Sequence, residues 1–245
     1  MDFVESLWVV ILIPVKKDAQ ITSVPADNAL VMRYMSLKRF EQIIIDQTIF
    51  FPSYHSLDDY YEMTIEDPKY RRMIEEDRKY FAISCWSLHE YEQYSLWVTY
   101  LRGKKKGIAI CTTYHDLCKS FEKFKYEITP GLVQYQNDLN RSILLRDTKE
   151  SKRINFHRYL FFKKKFFQTD RELRLVRYNF TPKGMIPILE TVGKGISIEC
   201  DLEKLIHSII LSPFTKRKIV KKVQKILTEN GLNKVEIKES EIKIK

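Results

Sequence analysis

The segment His157–Phe167, HRYLFFKKKFF, sets the cations Arg158, Lys163, Lys164 and Lys165 among aromatic rings. Rings can stack on bases while cationic side chains hold phosphates, so this interleaving points to contact with RNA or DNA. The same stretch also reads as packing, because Phe156, Tyr159, Leu160, Lys163, Phe166 and Phe167 follow a helical stripe of the kind that faces a core. A few residues on, Glu172 and Arg174 alternate with Leu173 and Leu175. On a strand, that alternation sends Glu172, Arg174, Val176 and Tyr178 to one side and the two leucines to the core. A carboxylate and a guanidinium so placed face either a cleft or solvent, where an ion pair contributes about 0–1 kcal/mol.

Metal and nucleophile chemistry find less to work with. Cys85, Cys111, Cys118 and Cys200 form no C-x-x-C pair; His115 stands between Cys111 and Cys118, but no fourth ligand follows at a recognised spacing. Reduced thiols in a cytoplasmic protein and no metal are the expectation. There is no G-x-G-x-x-G, P-loop, H-E-x-x-H or G-x-S-x-G. His89 reads as part of a helix start, and His55, His115, His157 and His207 have no evident catalytic partner.

Charge narrows the partners. The formal net charge of +10 is concentrated in two stretches: Arg141 to Lys183 holds thirteen Lys/Arg against four Asp/Glu, and Lys216 to the end holds ten against four. Such asymmetry makes a directional field that attracts nucleic acid, nucleotide phosphates or an anionic membrane. At 245 residues, 44% apolar and 13% aromatic, the chain can bury a sizeable core, and 7 Gly and 8 Pro leave no long linker. A single domain over 1–245 is expected, with residues 1–29 as an extension and about 30–245 as the core. Leu7–Val15 (LWVVILIPV) is about half the ~20 residues a spanning helix needs and follows Asp2 and Glu5, so it reads as a buried strand; neither a signal peptide nor a membrane anchor is expected.

The elements that position these residues follow from pattern. Strands are expected at Val31–Tyr34, Thr48–Phe51, Phe81–Trp86, Gly107–Thr112, Phe124–Ile128, Glu172–Phe180, Ile196–Cys200, Ile209–Leu211 and from Val235 to about Ile242. Ser36 caps a helix whose face is Leu37, Phe40, Ile43 and Ile44. Asp67-Pro68 opens a polar helix to about Lys79, and Ser87-Leu88-His89-Glu90 matches a capping box before a helix bearing Tyr94, Trp97, Val98 and Leu101. Short helices follow at Tyr114–Phe121 and Leu202–Ile206, a helical stretch begins near Asn137, and a last helix runs over Lys216–Glu229 to a turn at Asn230-Gly231. Helices and short strands without a βαβ rhythm indicate an α+β fold, a mixed and mostly antiparallel sheet with surrounding helices.

Several segments in order resemble a bacterial family, domain of unknown function 2971. They are Arg33-Tyr34-Met35-Ser36, FAISCWS (Phe81–Ser87), Trp97-x-x-Tyr100, Lys106-Gly107, Asp170-x-Glu172-x-Arg174, and IILSPFTKRKIVKKV before Asn230-Gly231 and a Val-x-Ile-x-x-Ser strand. The resemblance covers roughly residues 30–245. Two departures stand out: Leu57-Asp58-Asp59 where the family has Asn-Asp-Pro, which leaves Asp58 and Asp59 without an assigned role, and Phe167 where Trp is usual. The layout, an early strand with Arg, a middle aromatic element and a late strand with Glu, is similar to ADP-ribosyltransferase-type folds.

That resemblance implies NAD as substrate. Glu172 would stabilise an oxocarbenium-like state, Arg33 would clamp the dinucleotide phosphates, and Tyr34, Trp97, Tyr100 and Arg174 would complete the binding site; for Trp97 and Tyr100, three residues apart on an amphipathic helix, core packing is the competing reading. It further implies an ADP-ribosyltransferase or NAD glycohydrolase serving as a toxin or phage-defence effector. Two other classes remain open: a protein that binds or processes nucleic acid without NAD, and a non-catalytic interaction module.

Overall fold

The alternation over Val31–Tyr34 becomes strand β1 (Leu30–Ser36) in the computed structural model, which describes residues 23–56, 68–104, 106–137, 145–147, 152–154, 156–183, 186–189, 191–216 and 218–244. Leu7–Val15, Asp58 and Asp59 lie outside these residues. The further strands are β2 (Thr48–Pro52), β3 (Phe81–Ser87), β4 (Gly107–Thr113), β5 (Thr129–Leu132), β6 (Gln134–Gln136), β7 (Leu145–Asp147) and β8 (Lys152–Ile154). After them come β9 (Phe162–Lys164), β10 (Glu172–Tyr178), β11 (Phe180–Lys183), β12 (Ile186–Leu189), β13 (Gly195–Glu199), β14 (Ser208–Leu211) and β15 (Glu236–Glu239). The helices are α1 (Leu37–Asp46), α2 (Pro68–Asp77), α3 (Tyr94–Leu101), α4 (Tyr114–Lys119), α5 (Leu202–Leu205) and α6 (Lys218–Glu229).

Seven strands form the main sheet in the order β15-β14-β4-β1-β3-β10-β5, antiparallel throughout except for the parallel pair β14–β15. The α+β architecture with a mostly antiparallel sheet is therefore what the chain adopts. No helix among the described residues is long and apolar enough to cross a membrane.

Each face of the sheet is covered. On one, Val31, Ala82, Trp86, Ile110, Leu173 and Leu175 pack against α1, α4 and α6 in the largest core cluster. Ser36 caps α1 as expected, its Oγ accepting from Arg39 N, and Leu37, Phe40, Ile43 and Ile44 are all buried. Each such side chain contributes about 1.5–3 kcal/mol by leaving water. On the opposite face the cover is divided. Met32, Tyr34 and Ala109 pack under Leu96, Trp97 and Leu101 of α3. Phe81, Ile83 and Val176 pack under Tyr54, Ile74 and Tyr159–Phe162.

The division follows the sheet itself. β1 and β4 pair along seven registered positions, whereas β1 and β3 meet only at Met32↔Ser87. Past that point β3 takes a bridge from Ser53, just beyond β2, to Ala82. The sheet thus splits between β1 and β3, and the split lies where the candidate residues come together.

Three expectations are overturned. Where a helical stretch is expected from about Asn137, the described residues form the antiparallel pair β7–β8, a 3-10 segment at Phe156–Phe161 and the short β9, which pairs with β6. Phe124–Ile128 is not a strand; the strand begins at Thr129, where pairing to β10 becomes available. The capping box at Ser87–Glu90 is not formed: Ser87 remains in β3 with its hydroxyl donating to Asp170 O, and α3 starts later, after Gln93.

Candidate active site at the split of the sheet

Glu172 begins β10 on the divided face, and its backbone N–H donates to the Tyr135 hydroxyl at 2.9 Å. One carboxylate oxygen, Oε2, accepts from Arg174 Nε at 3.0 Å and lies 3.0 Å from Nη2; the other, Oε1, accepts from Lys163 Nζ at 3.0 Å. Arg174 is completely buried, and its remaining arm donates to Leu160 O at 2.6 Å. Lys163 also reaches Asp170 Oδ2 at 3.3 Å and stands 4.7 Å from the Phe167 ring centre. Burial pushes the Glu172 carboxyl up, but the Arg174 and Lys163 charges and their hydrogen bonds outweigh it, so the group is held below the usual carboxylate range.

This arrangement changes two expectations. Glu172 and Arg174 do not form a pair on an exposed strand face, because the Tyr159–Phe162 segment covers that face as the main core covers the other. Lys163 does not belong to a solvent-facing set with Lys164 and Lys165: it is 6% exposed, since Glu172 and Asp170 draw its ammonium inward. Arg177, in the same basic stretch, is also buried. Arg158 is half-buried over Phe162, Lys164 donates to Asn137 O, and Lys165 is exposed.

Tyr100 stands within electrostatic reach of this network. It is 42% exposed, yet desolvation and then the Glu172 charge push its phenol well above the ordinary range. Its ring stacks toward Tyr34 with centroids 6.3 Å apart. Tyr34 is buried; its hydroxyl accepts from Gln93 N at 2.9 Å, and its ring meets Trp97 edge-on at 4.7 Å. Trp97 is fully buried and donates from Nε1 to Glu92 at 2.7 Å. Tyr34 and Trp97 therefore shape α3 from behind, and Tyr100 is the aromatic open to a ligand.

Arg33 projects from β1 toward the main core, where Nη2 donates to Phe50 O at 3.0 Å and Nη1 has no hydrogen-bond partner among the described residues. It lines a cavity of about 280 Å³ with Arg39, Gln42, Asp46 and Phe50. Burial, and next the Arg39 charge, lower its guanidinium to about 10. Arg33 is within electrostatic reach of Tyr100, which the Glu172 charge also reaches. Of the residues singled out by sequence, Glu172, Arg174 and Tyr100 are thus brought together, and Arg33 approaches from the other side of the split. Sequence reasoning missed Tyr135 and Asp170 as parts of this network. The Asp170-x-Glu172-x-Arg174 spacing could have found Asp170; nothing local pointed to Tyr135.

The chain is a mixed α+β protein whose central sheet opens at one strand junction around an ionised carboxylate. No family model matches it, and no curated protein does. Among solved structures it is similar to Thermus sp. 2.9 DarT in complex with carba-NAD+ (8% identity, TM-score 0.39, covering 88% of this chain and 97% of that one). The same protein in complex with ADP-ribosylated ssDNA gives 7% identity, a TM-score of 0.41 and coverage of 89% and 97%. Its complex with NAD+ gives 8%, 0.40, 88% and 98%.

Proposed function

We propose that this chain is an enzyme that consumes NAD, transferring ADP-ribose to an acceptor or to water, with Glu172 as the catalytic carboxylate. The reading rests on the site rather than on the coarse likeness to DarT. The observation that carries it is a buried glutamate kept ionised and fixed in direction by Arg174 and Lys163 at a split in the sheet, within electrostatic reach of the exposed Tyr100. Cleavage breaks the C1′–N bond of the nicotinamide riboside, and nicotinamide leaves with the bonding pair. The ribose then carries an oxocarbenium-like charge that a nearby carboxylate stabilises. A hydroxyl or amine of the acceptor, or water, bonds to C1′ and loses its proton to solvent. Tyr100 would stack on a ring of the dinucleotide, and Arg33, with Nη1 unpartnered, would offer its free edge to a phosphate. The accompanying role as a toxin or phage-defence effector rests on the family resemblance alone.

One observation favours the alternative of a nucleic-acid protein that does not use NAD: two cations already neutralise Glu172, so the network as a whole suits an anion. Nicotinamide release separates the readings. Wild type should consume NAD, and Glu172→Gln should lower turnover about a hundredfold to a thousandfold with little change in KM. That replacement leaves two buried cations short of a counter-ion, so Tyr100→Ala provides a second test at an exposed position. It should raise KM while the fold stays intact. Wild type that never releases nicotinamide, or a Tyr100→Ala variant with unchanged KM, would discard the NAD reading.

A further inference from the structure

Register puts Arg33 and Glu172 on opposite faces of the main sheet. Glu172 pairs with Ser87, and Ser87 with Met32, so these three share a side and Arg33, next in β1, points to the other. There it lines the cavity of about 280 Å³ whose other walls come from α1 and from the β2–β13 pair. Arg39, Gln42 and Asp46 recur at helical spacing along one side of α1. Ile49, Phe51 and Ile198 turn into the main core, so Thr48, Phe50 and Ser197, which alternate with them, turn outward to the cavity.

The polar groups on these walls have little to bind within the protein. Among the described residues, no hydrogen bond or ion pair engages the side chains of Arg39, Gln42, Asp46, Thr48 or Ser197; the Arg39 guanidinium rests over the Phe50 ring at 5.8 Å. Arg33 gives Nη2 to Phe50 O and leaves Nη1 without a partner. The Arg39 charge acts on Arg33 unfavourably, and no carboxylate acts on it in return. Two guanidinium groups beside hydroxyls and an amide make a receptor for an anion. A carboxylate cancels one such charge, whereas a phosphate monoester, at about −1.5 to −2 near neutral pH, matches both. Asp46, on the same rim, is an acceptor that suits a hydroxyl on the rest of the ligand. The volume lies just under the about 300–1,000 Å³ of ordinary ligand pockets, so it fits a molecule much smaller than a dinucleotide.

We propose that this cavity binds a small phosphate monoester bearing hydroxyl groups, with the phosphate on Arg33 and Arg39 and a hydroxyl donating to Asp46. Binding here does not depend on NAD turnover. Arg33 has one free arm, so a dinucleotide phosphate and this ligand compete for it, and that consequence alone rests on the NAD reading.

Isothermal titration calorimetry in phosphate-free buffer tests the site, with glycerol 3-phosphate, inorganic phosphate and acetate as probes. Wild type should bind glycerol 3-phosphate about tenfold or more tighter than acetate, which leaves the second guanidinium unmatched. Arg39→Ala, at an exposed position, should weaken glycerol 3-phosphate about tenfold to a hundredfold. Arg39→Lys keeps the charge without the fork and should recover only part of that loss. Asp46→Asn should tighten inorganic phosphate, because a repelling charge is gone. Lys165→Ala removes the same charge elsewhere and should change nothing. Thermal melts check that each variant is folded; should Arg39→Ala unfold, Ser197→Ala at the exposed opposite wall should still weaken binding severalfold. No binding of either phosphate, equal affinity for acetate, wild-type affinity in Arg39→Ala, weaker inorganic phosphate in Asp46→Asn, or an equal loss in Lys165→Ala would each overturn the proposal. In nicotinamide release, glycerol 3-phosphate should raise KM for NAD and leave kcat unchanged; an unchanged KM at saturation would overturn the competition for Arg33. Phosphate binding by a wild type that releases no nicotinamide would sink the enzyme reading alone.

Discussion

Leu173 and Leu175 on one face of β10 and Arg174 on the other are all without exposed surface, yet the two faces are held by different physics. The leucines join the main core, where burial is favourable and pairing is not directional. Arg174 and Glu172 are favourable only as a set: each charge taken from water costs several kcal/mol, and the cost is recovered through Lys163, Leu160 O and each other. Equal burial therefore conceals unequal specificity. The leucine face tolerates similar shapes, whereas the ionic face tolerates no missing member. A chain selected for stability alone does as well with an apolar β10 on both sides, so the retained ionic face accords with a functional site.

Removing one member of the ionic face should have the largest effect. Arg174→Ala leaves the carboxylate with one cation and Leu160 O without its donor, and should cost about 3–5 kcal/mol in urea unfolding at neutral pH. A loss below about 1 kcal/mol would mean that the face is solvated and the contrast false. Leu175→Ala, on the opposite side of the same strand, should cost about 2–5 kcal/mol through lost transfer energy and a cavity. Its loss should be nearly constant between about pH 3 and pH 6, because no titrating group is involved. A Leu175→Ala penalty that changes strongly with pH would show the two faces to be coupled.

The leucine face was legible in the sequence and the ionic face was not, for a physical reason. Periodicity reports which residues share a side, and it placed Glu172 with Arg174 and Leu173 with Leu175 correctly. It cannot report what covers that side. The cover, Tyr159–Phe162 with Lys163, comes from a stretch whose aromatic spacing resembled a helix and which forms a 3-10 turn and a short strand. Local signals succeeded where partners were local, as with Ser36 and Arg39 N of α1. They failed at Ser87, whose hydroxyl bonds Asp170 O, 83 residues away, in place of a helix end. The charge count located a basic stretch but not its exposure: Lys163, Arg174 and Arg177 turn inward. Meanwhile Lys38, Lys104 and Lys216, scattered in sequence, are gathered near one end by backbone contacts around Gly107.

The smallest change tests how the ionic face divides between its cations. Lys163→Met keeps an unbranched apolar stem and removes the ammonium, which pairs with Glu172 and the more exposed Asp170 and stands over the Phe167 ring. Arg174 remains with its fork on Oε2, so the carboxylate is not orphaned. The expected loss is about 1.5–3 kcal/mol, the range for hydrogen bonds to charged groups. Its pH dependence carries more information. A carboxyl held below its unfolded value of about 4.3 contributes stability above that pH and loses it as the pH falls through the folded value. With Lys163 gone, the folded value should rise toward the unfolded one, so the contribution at neutral pH shrinks and its loss on acidification, which starts near the unfolded value in both proteins, is smaller and complete at a higher pH. Urea titrations of wild type and variant from about pH 6 to pH 3 should therefore converge at the acid end. Parallel curves would mean that Lys163 packs against the site without holding its charge, leaving Arg174 as the group that keeps Glu172 ionised.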